Sequence, residues 1–542
     1  MIKKLTLMAV GLILSVTANA QLGHGQKKNF TLDDTLRGTI TPERAWWDLL
    51  HYDLSVDVNV EKKSFKGSNV IKFKVLSHHN VMQIDLQEPL DLTAAFQGDK
   101  ELKFIKKGAN AYFITLSNIP KVGDEGEIKV YYEGNPRVAK RAPWDGGVTW
   151  AKDKEGRPFI ATSCQGLGAS VWWPCKDHMY DEPNHGMRIS ITVPDNLMNV
   201  SNGILDIKCT YADGKVTTVW EVKNPINNYG VNLNAAHYAH YEEVFEGEKG
   251  KLKLDYWPLD YNLAVAKEHW QDVPRMLKAF EHWFGPYPFY EDGFKLVEVP
   301  YLGMEHQSSV TYGNQYKKGY LGRDLSGTGW GLKFDFIIIH ESGHEWFANN
   351  ITYKDIADMW IHEGFTAYSE TLYVDYHFGK EAGQDYVIGT RKSIANDIPI
   401  IGVYNVNKEG SGDMYYKGAN MVHTLRHVIN DDEKFRKILR GLNSDFYHQT
   451  VTTKQIEEYI SNKAGIDLSK VFDQYLRDIR IPKLATEVKG KNISYRWENT
   501  VDGFDMPIKV VVDGKEQMLF PTQKWKSIKG KTLVKDRNFY VN

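Results

Sequence analysis

The sequence predicts a multidomain α+β protein, and three observations lead there: its length, a long N-terminal tract of short alternating runs, and a change to helical spacing near residue 262. With 542 residues the chain exceeds what one hydrophobic core organises, and length alone favours about three or four domains. From about Trp46 to Tyr256, runs such as His51-Tyr52-Asp53-Leu54-Ser55-Val56-Asp57-Val58 and Ile128-Lys129-Val130-Tyr131-Tyr132 alternate with period two between turn residues. That period is the mark of strands with one buried face. An N-terminal β-sandwich or saddle-shaped sheet domain is therefore expected over residues 21–258.

A mostly helical domain is expected over 259–481. Val265 to Trp283 recurs at helical spacing and stops at the breaker Gly285-Pro286-Tyr287-Pro288. Further helical patterns run over Phe334–Asn349, His362–His377, Lys417–Ile429, Thr453–Ala464 and Lys470–Arg480. After Ile481-Pro482 alternation returns, in Asn492–Trp497 and Ile508–Val512, with Asp502-Gly503 and Asp513-Gly514 as turn signals. A small C-terminal β-sandwich domain over 482–542 follows.

Residues 1–20 read as a signal peptide. Lys3 and Lys4 precede an apolar run from Leu5 to Val16 and then Ala18-Asn19-Ala20. Export to a periplasm or beyond is expected, with a mature start near Gln21, and no other run is apolar for long enough to span a bilayer. The formal charge of −2 becomes −4 without Lys3 and Lys4, which gives no cationic surface for nucleic acid or an anionic membrane. Fifteen Trp and thirty Tyr suit large packed sheets or a groove lined for peptide or carbohydrate. Three cysteines are too few for a disulfide framework. Cys164 and Cys175 are close enough in sequence to pair, and three buried thiols are the alternative.

The chemistry is concentrated in His340-Glu341-Ser342-Gly343-His344. On a helix, positions i and i+4 share one face, so two imidazoles can converge on one zinc ion. A catalytic zinc needs a third protein ligand and an open position. Glu363, in Trp360-Ile361-His362-Glu363-Gly364-Phe365, is placed to supply it from a second helix. Gly343, unfavourable inside a helix, then marks a close approach beside the metal. His362 points to another face and is expected behind the ligands or at the surface. Glu341 leaves the helix about 100° round from His340, so it can act as general base on an attacking water.

Residues 285–420 resemble the aminopeptidase N family of zinc metallopeptidases, the gluzincins that include leukotriene-hydrolysing members, in which H-E-x-x-H is followed eighteen residues later by Glu. Ser163-Cys164-Gln165 through Trp173-Pro174-Cys175 resembles the signature of the family's N-terminal domain, and the β, helical, β order is similar to its shorter bacterial members. The resemblance implies a thermolysin-like catalytic domain, one zinc ion and peptides with free N-termini as substrates. Leu302-Gly303-Met304-Glu305-His306 resembles the exopeptidase signature G-x-M-E-N, with Leu302 and His306 as departures. By that likeness Glu305 grips the substrate α-ammonium, Gly303 and Met304 line the substrate site, and the carbonyl oxygen of Gln165 assists Glu305. Tyr415, in Tyr415-Tyr416-Lys417-Gly418, matches the tyrosine that stabilises the oxyanion. A zinc endopeptidase on the same site and a non-catalytic peptide-binding protein are the rival readings.

Overall fold

The computed structural model describes residues 29–542, so the expected signal peptide at 1–20 lies outside the described residues. The N-terminal part is built on an eight-stranded sheet. Its spine, Trp47–Asn59, pairs antiparallel with Ser64–Val75 and parallel with Met187–Pro194. Tyr52, Leu54, Val56 and Val58 alternate inward along it, as the period-two pattern requires. Trp46, Trp47, Trp172 and Trp173 fill the space between this sheet and its neighbours. A four-stranded sheet contains Pro158–Ser163, and the chain leaving that strand carries Gln165 towards the helices.

Two expectations about this half change. The hairpin Tyr241–Gly247 and Gly250–Trp257 pairs onward, in parallel, with Phe294–Glu298, and Leu252, Leu254 and Tyr256 pack into the core of the helical domain. The boundary read at 258 therefore falls inside a continuous five-stranded sheet. Alternation identifies a strand but not the sheet it joins. All three cysteines are free: Cys164 and Cys175 are buried and Cys209 is exposed.

In the helical domain the long pattern Val265–Trp283 divides into Leu263–His269 and Asp272–Phe284. Pro274 sits in the first turn of the second helix, where its missing N–H costs nothing. The helix Phe336–Gly343, here the motif helix, is apolar on nearly every side and wholly buried. Asp335 caps it, accepting from the N–H groups of Ile337 and Ile338 at 3.0 and 3.3 Å, and also accepts from the Tyr312 hydroxyl at 2.8 Å. The expected extension to Asn349 fails because the chain leaves helical geometry at Phe347 (φ −126°, ψ 79°). Trp360–Phe378, the carboxylate helix, carries Glu363, and Tyr416–Ile429 follows Tyr415. Two helices of this domain escaped the sequence reading, Lys380–Thr390 and Asp432–Asp445. The second buries Phe435, Ile438, Leu439 and Leu442, an amphipathic stripe that was legible.

The C-terminal part consists of two three-stranded sheets. Its core residues Ile493, Trp497, Phe504 and Ile508 are continuous with the helical core. Among the described residues no helix is long and apolar enough to cross a membrane.

One helix contact fixes the relation between Glu363 and Tyr415. The carboxylate helix and Tyr416–Ile429 touch backbone to backbone, and a Cβ added at Gly418 would lie 2.9 Å from the Cα of Gly364. Only glycine allows this approach, so Gly418→Ala is expected to force the helices apart and lower stability by about 1–3 kcal/mol, read as a reduced midpoint in denaturant unfolding.

Candidate active site

His340 and His344 project from the motif helix with ring centroids 5.1 Å apart. Each ring is oriented through Nδ1. His340 Nδ1 donates to Glu370 Oε1 at 2.7 Å. His344 Nδ1 lies 3.1 Å from the Phe347 carbonyl and 3.1 Å from Thr366 Oγ1. The break at Phe347 is what turns that carbonyl back towards the ring. Both Nε2 atoms are thereby aimed at Glu363, whose Oε2 stands 3.6 Å from that of His340 and 3.4 Å from that of His344.

Glu363 Oε2 is buried and has no hydrogen-bond partner among the described residues. A lone carboxylate oxygen out of water, facing two oriented imidazole nitrogens, calls for a cation. The spacing suits zinc, since bonds of about 2.0–2.1 Å in tetrahedral geometry place ligand atoms about 3.4 Å apart. His340, His344 and Glu363 form a group whose ligand atoms lie within 4.8 Å of one another. The three expected ligands are brought together, and their donor set fits zinc. His362 is buried instead of lying at the surface: its Nε2 accepts from the Tyr353 N–H at 3.0 Å, away from this cluster.

The close approach expected at Gly343 is present, because a Cβ there would meet Ser369 Oγ at 2.6 Å on the carboxylate helix. Gly303 serves the same purpose on the other side. Its strand lies so near the motif helix that a Cβ would meet Ile337 Cγ2 at 2.6 Å and Glu341 Cγ at 3.2 Å. Met304 and Leu302 line the resulting cleft of about 400 Å³ together with His340, Glu341, Tyr415 and Tyr416.

Glu305, Glu341 and His344 also converge, their polar atoms within 4.8 Å of one another. Glu305 is buried and accepts from Gln165 Nε2 at 2.6 Å and from the Tyr229 hydroxyl at 3.1 Å. Gln165 Nε2 also donates to Glu363 Oε1 at 2.9 Å. The expected carbonyl of Gln165 is thus replaced at this spot by its amide nitrogen, because two carboxylates on either side demand a donor. His306 turns away: it is buried, with Nδ1 3.3 Å from Thr311 Oγ1, and it does not line the cleft. Tyr415 precedes the first turn of its helix with non-helical ψ (−81°), and its ring stacks over His340 at 6.0 Å.

The electrostatics follow from burial. Desolvation, reinforced by the charge of Glu305 against the opposing pull of His340, pushes the Glu341 carboxyl up to about 7. Burial also acts on Glu363, but the His344 and His340 imidazoles overcome it and hold that carboxyl far below the usual range. Burial and then the charges of Glu363, Glu305 and Glu341 push the Tyr415 phenol well above its ordinary value, so it stays a proton donor.

Sequence reasoning missed Tyr229 and Glu370. Nothing local singles out Tyr229. Glu370 stands seven residues, two helical turns, after Glu363, and that spacing was a usable signal. Glu370 Oε2 also accepts from the Tyr386 hydroxyl at 2.6 Å, which completes a chain from Tyr386 to His340. Removing such an outer partner loosens a metal site, so Glu370→Gln is expected to weaken zinc affinity by about 10–100-fold, measured by competition with a chromogenic chelator.

Comparison with known proteins agrees with this geometry. The chain matches the Peptidase M1 N-terminal domain over residues 49–229 and the Peptidase family M1 domain over residues 269–475. It is 21% identical over 505 residues to endoplasmic reticulum aminopeptidase 1 of Homo sapiens, covering 84% of this chain and 52% of that protein. It is 21% identical over 487 residues to leucyl aminopeptidase of Saccharolobus solfataricus, covering 86% and 58%. The chain thus spans little more than half the length of these curated relatives. An M1 zinc metallopeptidase from Deinococcus radiodurans shares the fold with a TM-score of 0.68 at 19% identity, over 81% of this chain and 96% of that one. With two domain models matched in order and a His–His–Glu zinc site in place, the chain belongs to peptidase family M1.

Proposed function

We propose that the protein is an exported zinc aminopeptidase that removes the first residue of peptides with free N-termini. The observation that carries this reading is Glu305, a buried carboxylate held by Gln165 and Tyr229 beside Glu341 and His344. A fixed anion at a set distance from the metal ligands selects an α-ammonium and registers the first peptide bond against them. The names of the relatives, aminopeptidases in both cases quoted, support the same activity. Export rests on the Lys3-Lys4, Leu5 to Val16 and Ala18-Asn19-Ala20 pattern.

Zinc, when bound, supplies Lewis acidity that polarises the carbonyl and makes a water nucleophilic near neutral pH. The remaining work falls to the chain. Glu341 takes the proton of the attacking water and returns it to the leaving amine. Tyr415 donates its hydroxyl to the oxygen on which negative charge develops. Glu305 accepts from the α-ammonium, with the Gln165 amide steadying the carboxylate.

The purified, zinc-loaded protein should hydrolyse amino-acid anilides and leave their N-acetylated counterparts intact. Glu341→Gln should keep its zinc and lose activity on the order of 10²–10⁴-fold, and Glu305→Ala should lose most turnover of free-amine substrates. Equal cleavage of acetylated and free anilides would overturn the exopeptidase reading in favour of an endopeptidase.

A further inference from the structure

Among the described residues the cleft is lined by many carboxylates and by no lysine or arginine. Most of these carboxylates are already occupied. Glu305, Glu341 and Glu363 belong to the site just described, and Glu370 is taken by His340 and Tyr386. Asp413 accepts from the backbone N–H groups of Ala395 and Asn396 at 2.8 and 2.6 Å. Asp145 accepts from those of Lys140 and Arg141, both at 2.7 Å.

Glu409 differs. Its side chain is 16% exposed. Its Oε1 takes the Lys408 ammonium at 3.1 Å, while its Oε2 makes no hydrogen bond among the described residues. Lys408 does not line the cleft. The loop that carries Glu409 is tied to the segment that carries Gln165, because Asn407 Nδ2 donates to the Gly166 carbonyl at 3.1 Å. It is also tied to residues 355–357, through Gly402 N–H to the Ala357 carbonyl at 3.0 Å and Asn405 N–H to Asp355 Oδ2 at 2.8 Å. The Asn407–Gly166 bond sets the Glu409 loop one residue from Gln165, which donates to Glu305. Leu167, close to Gly166, and Ile356 and Met359, in or beside the second tied segment, supply apolar wall to the cleft.

We propose that Glu409 reads the side chain of the substrate's first residue, and that the cleft takes peptides beginning with lysine or arginine in preference to leucine or an acidic residue. The inference rests on the aminopeptidase reading above. A long basic side chain has an aliphatic stem for the apolar wall and a cationic head for the free oxygen of Glu409. An acidic first residue would meet Glu409, with no lysine or arginine among the described residues that line the cleft to pair it.

The test is kcat/KM for arginine, lysine, leucine and glutamate anilides on zinc-loaded wild type, Glu409→Gln and Glu409→Lys. Ratios between substrates are used because they do not depend on the fraction of folded enzyme. The wild type should favour arginine over leucine, and Glu409→Gln should cut that ratio by about tenfold. Glu409→Lys should move the glutamate-to-arginine ratio the other way. Leucine preferred by wild type, or an arginine-to-leucine ratio unchanged in Glu409→Gln, overturns the role of Glu409 while free-amine cleavage keeps the aminopeptidase reading intact. Failure to cleave any free-amine anilide overturns both.

Discussion

Three buried carboxylates, Glu305, Glu341 and Glu363, share one cleft with two imidazoles, and the rest of the site depends on how that negative charge is offset. Carboxylates this close, out of water, cannot all ionise unaided. In the function proposed above two cations relieve the crowding from opposite ends: a metal ion between His340, His344 and Glu363, and a substrate ammonium at Glu305. The donors that remain, Gln165 Nε2 and the hydroxyl of Tyr229, are neutral. They fix rotamers without supplying charge, so the positive charge is left to metal and substrate. A lysine or arginine inside the cleft would compete for both places, and none of the described residues that line it is either.

Holding such a cluster requires backbones closer together than side chains usually allow. The glycines at 303, 343 and 418 lie where a strand or a helix meets its neighbour within van der Waals contact. The motif helix is clamped between the strand Gly303–Met304 and the carboxylate helix, and the latter is clamped in turn by the helix after Tyr415. Each clamp sets one distance: Glu305 to Glu341, His344 to Glu363, and Glu363 to Tyr415. Stability of the domain and geometry of the chemistry are thus set by the same contacts.

The sequence made the metal site legible because helical geometry couples spacing to position. Two histidines four apart and a glutamate on a second helix leave few arrangements, and His340, His344 and Glu363 do converge. The strand-rich halves and the order β, helical, β were legible for the same reason, through periods of 2 and 3.6. What escaped depends on contacts far apart in sequence. Tyr229 reaches Glu305 across the domain interface, and no local pattern marks it. The hairpin 241–257 alternates like its predecessors yet pairs with the other domain. Gln165 was placed by resemblance, but which end of its amide faces Glu305 depends on Glu363, and only the fold brings Glu363 beside it. The helix Asp432–Asp445 was readable from its own stripe, and Lys380–Thr390 was blurred by Gly383 and Gly389.

The metal ligands and Glu305, the proposed amine anchor, come from different parts of the chain, yet one hydrogen-bond path joins them. Just beyond His344, Glu345 Oε1 accepts from the Ser308 N–H at 3.0 Å, and Asn349 Nδ2 donates to the Glu305 carbonyl at 2.9 Å. Asn227 Nδ2, from the N-terminal domain, donates to Asn349 Oδ1 at 2.9 Å. Two residues later the same segment supplies Tyr229, whose hydroxyl holds the Glu305 side chain. Backbone and side chain of Glu305 are therefore fixed by elements that flank a metal ligand on one side and belong to the β domain on the other. Registration of one peptide bond needs the anchor-to-metal distance constant to a fraction of an ångström. A path of buried, mutually satisfied polar groups provides that rigidity where loops alone would not. The β domain is thus part of the active site, and its large sheets serve as the rigid support from which Gln165 and Tyr229 reach Glu305.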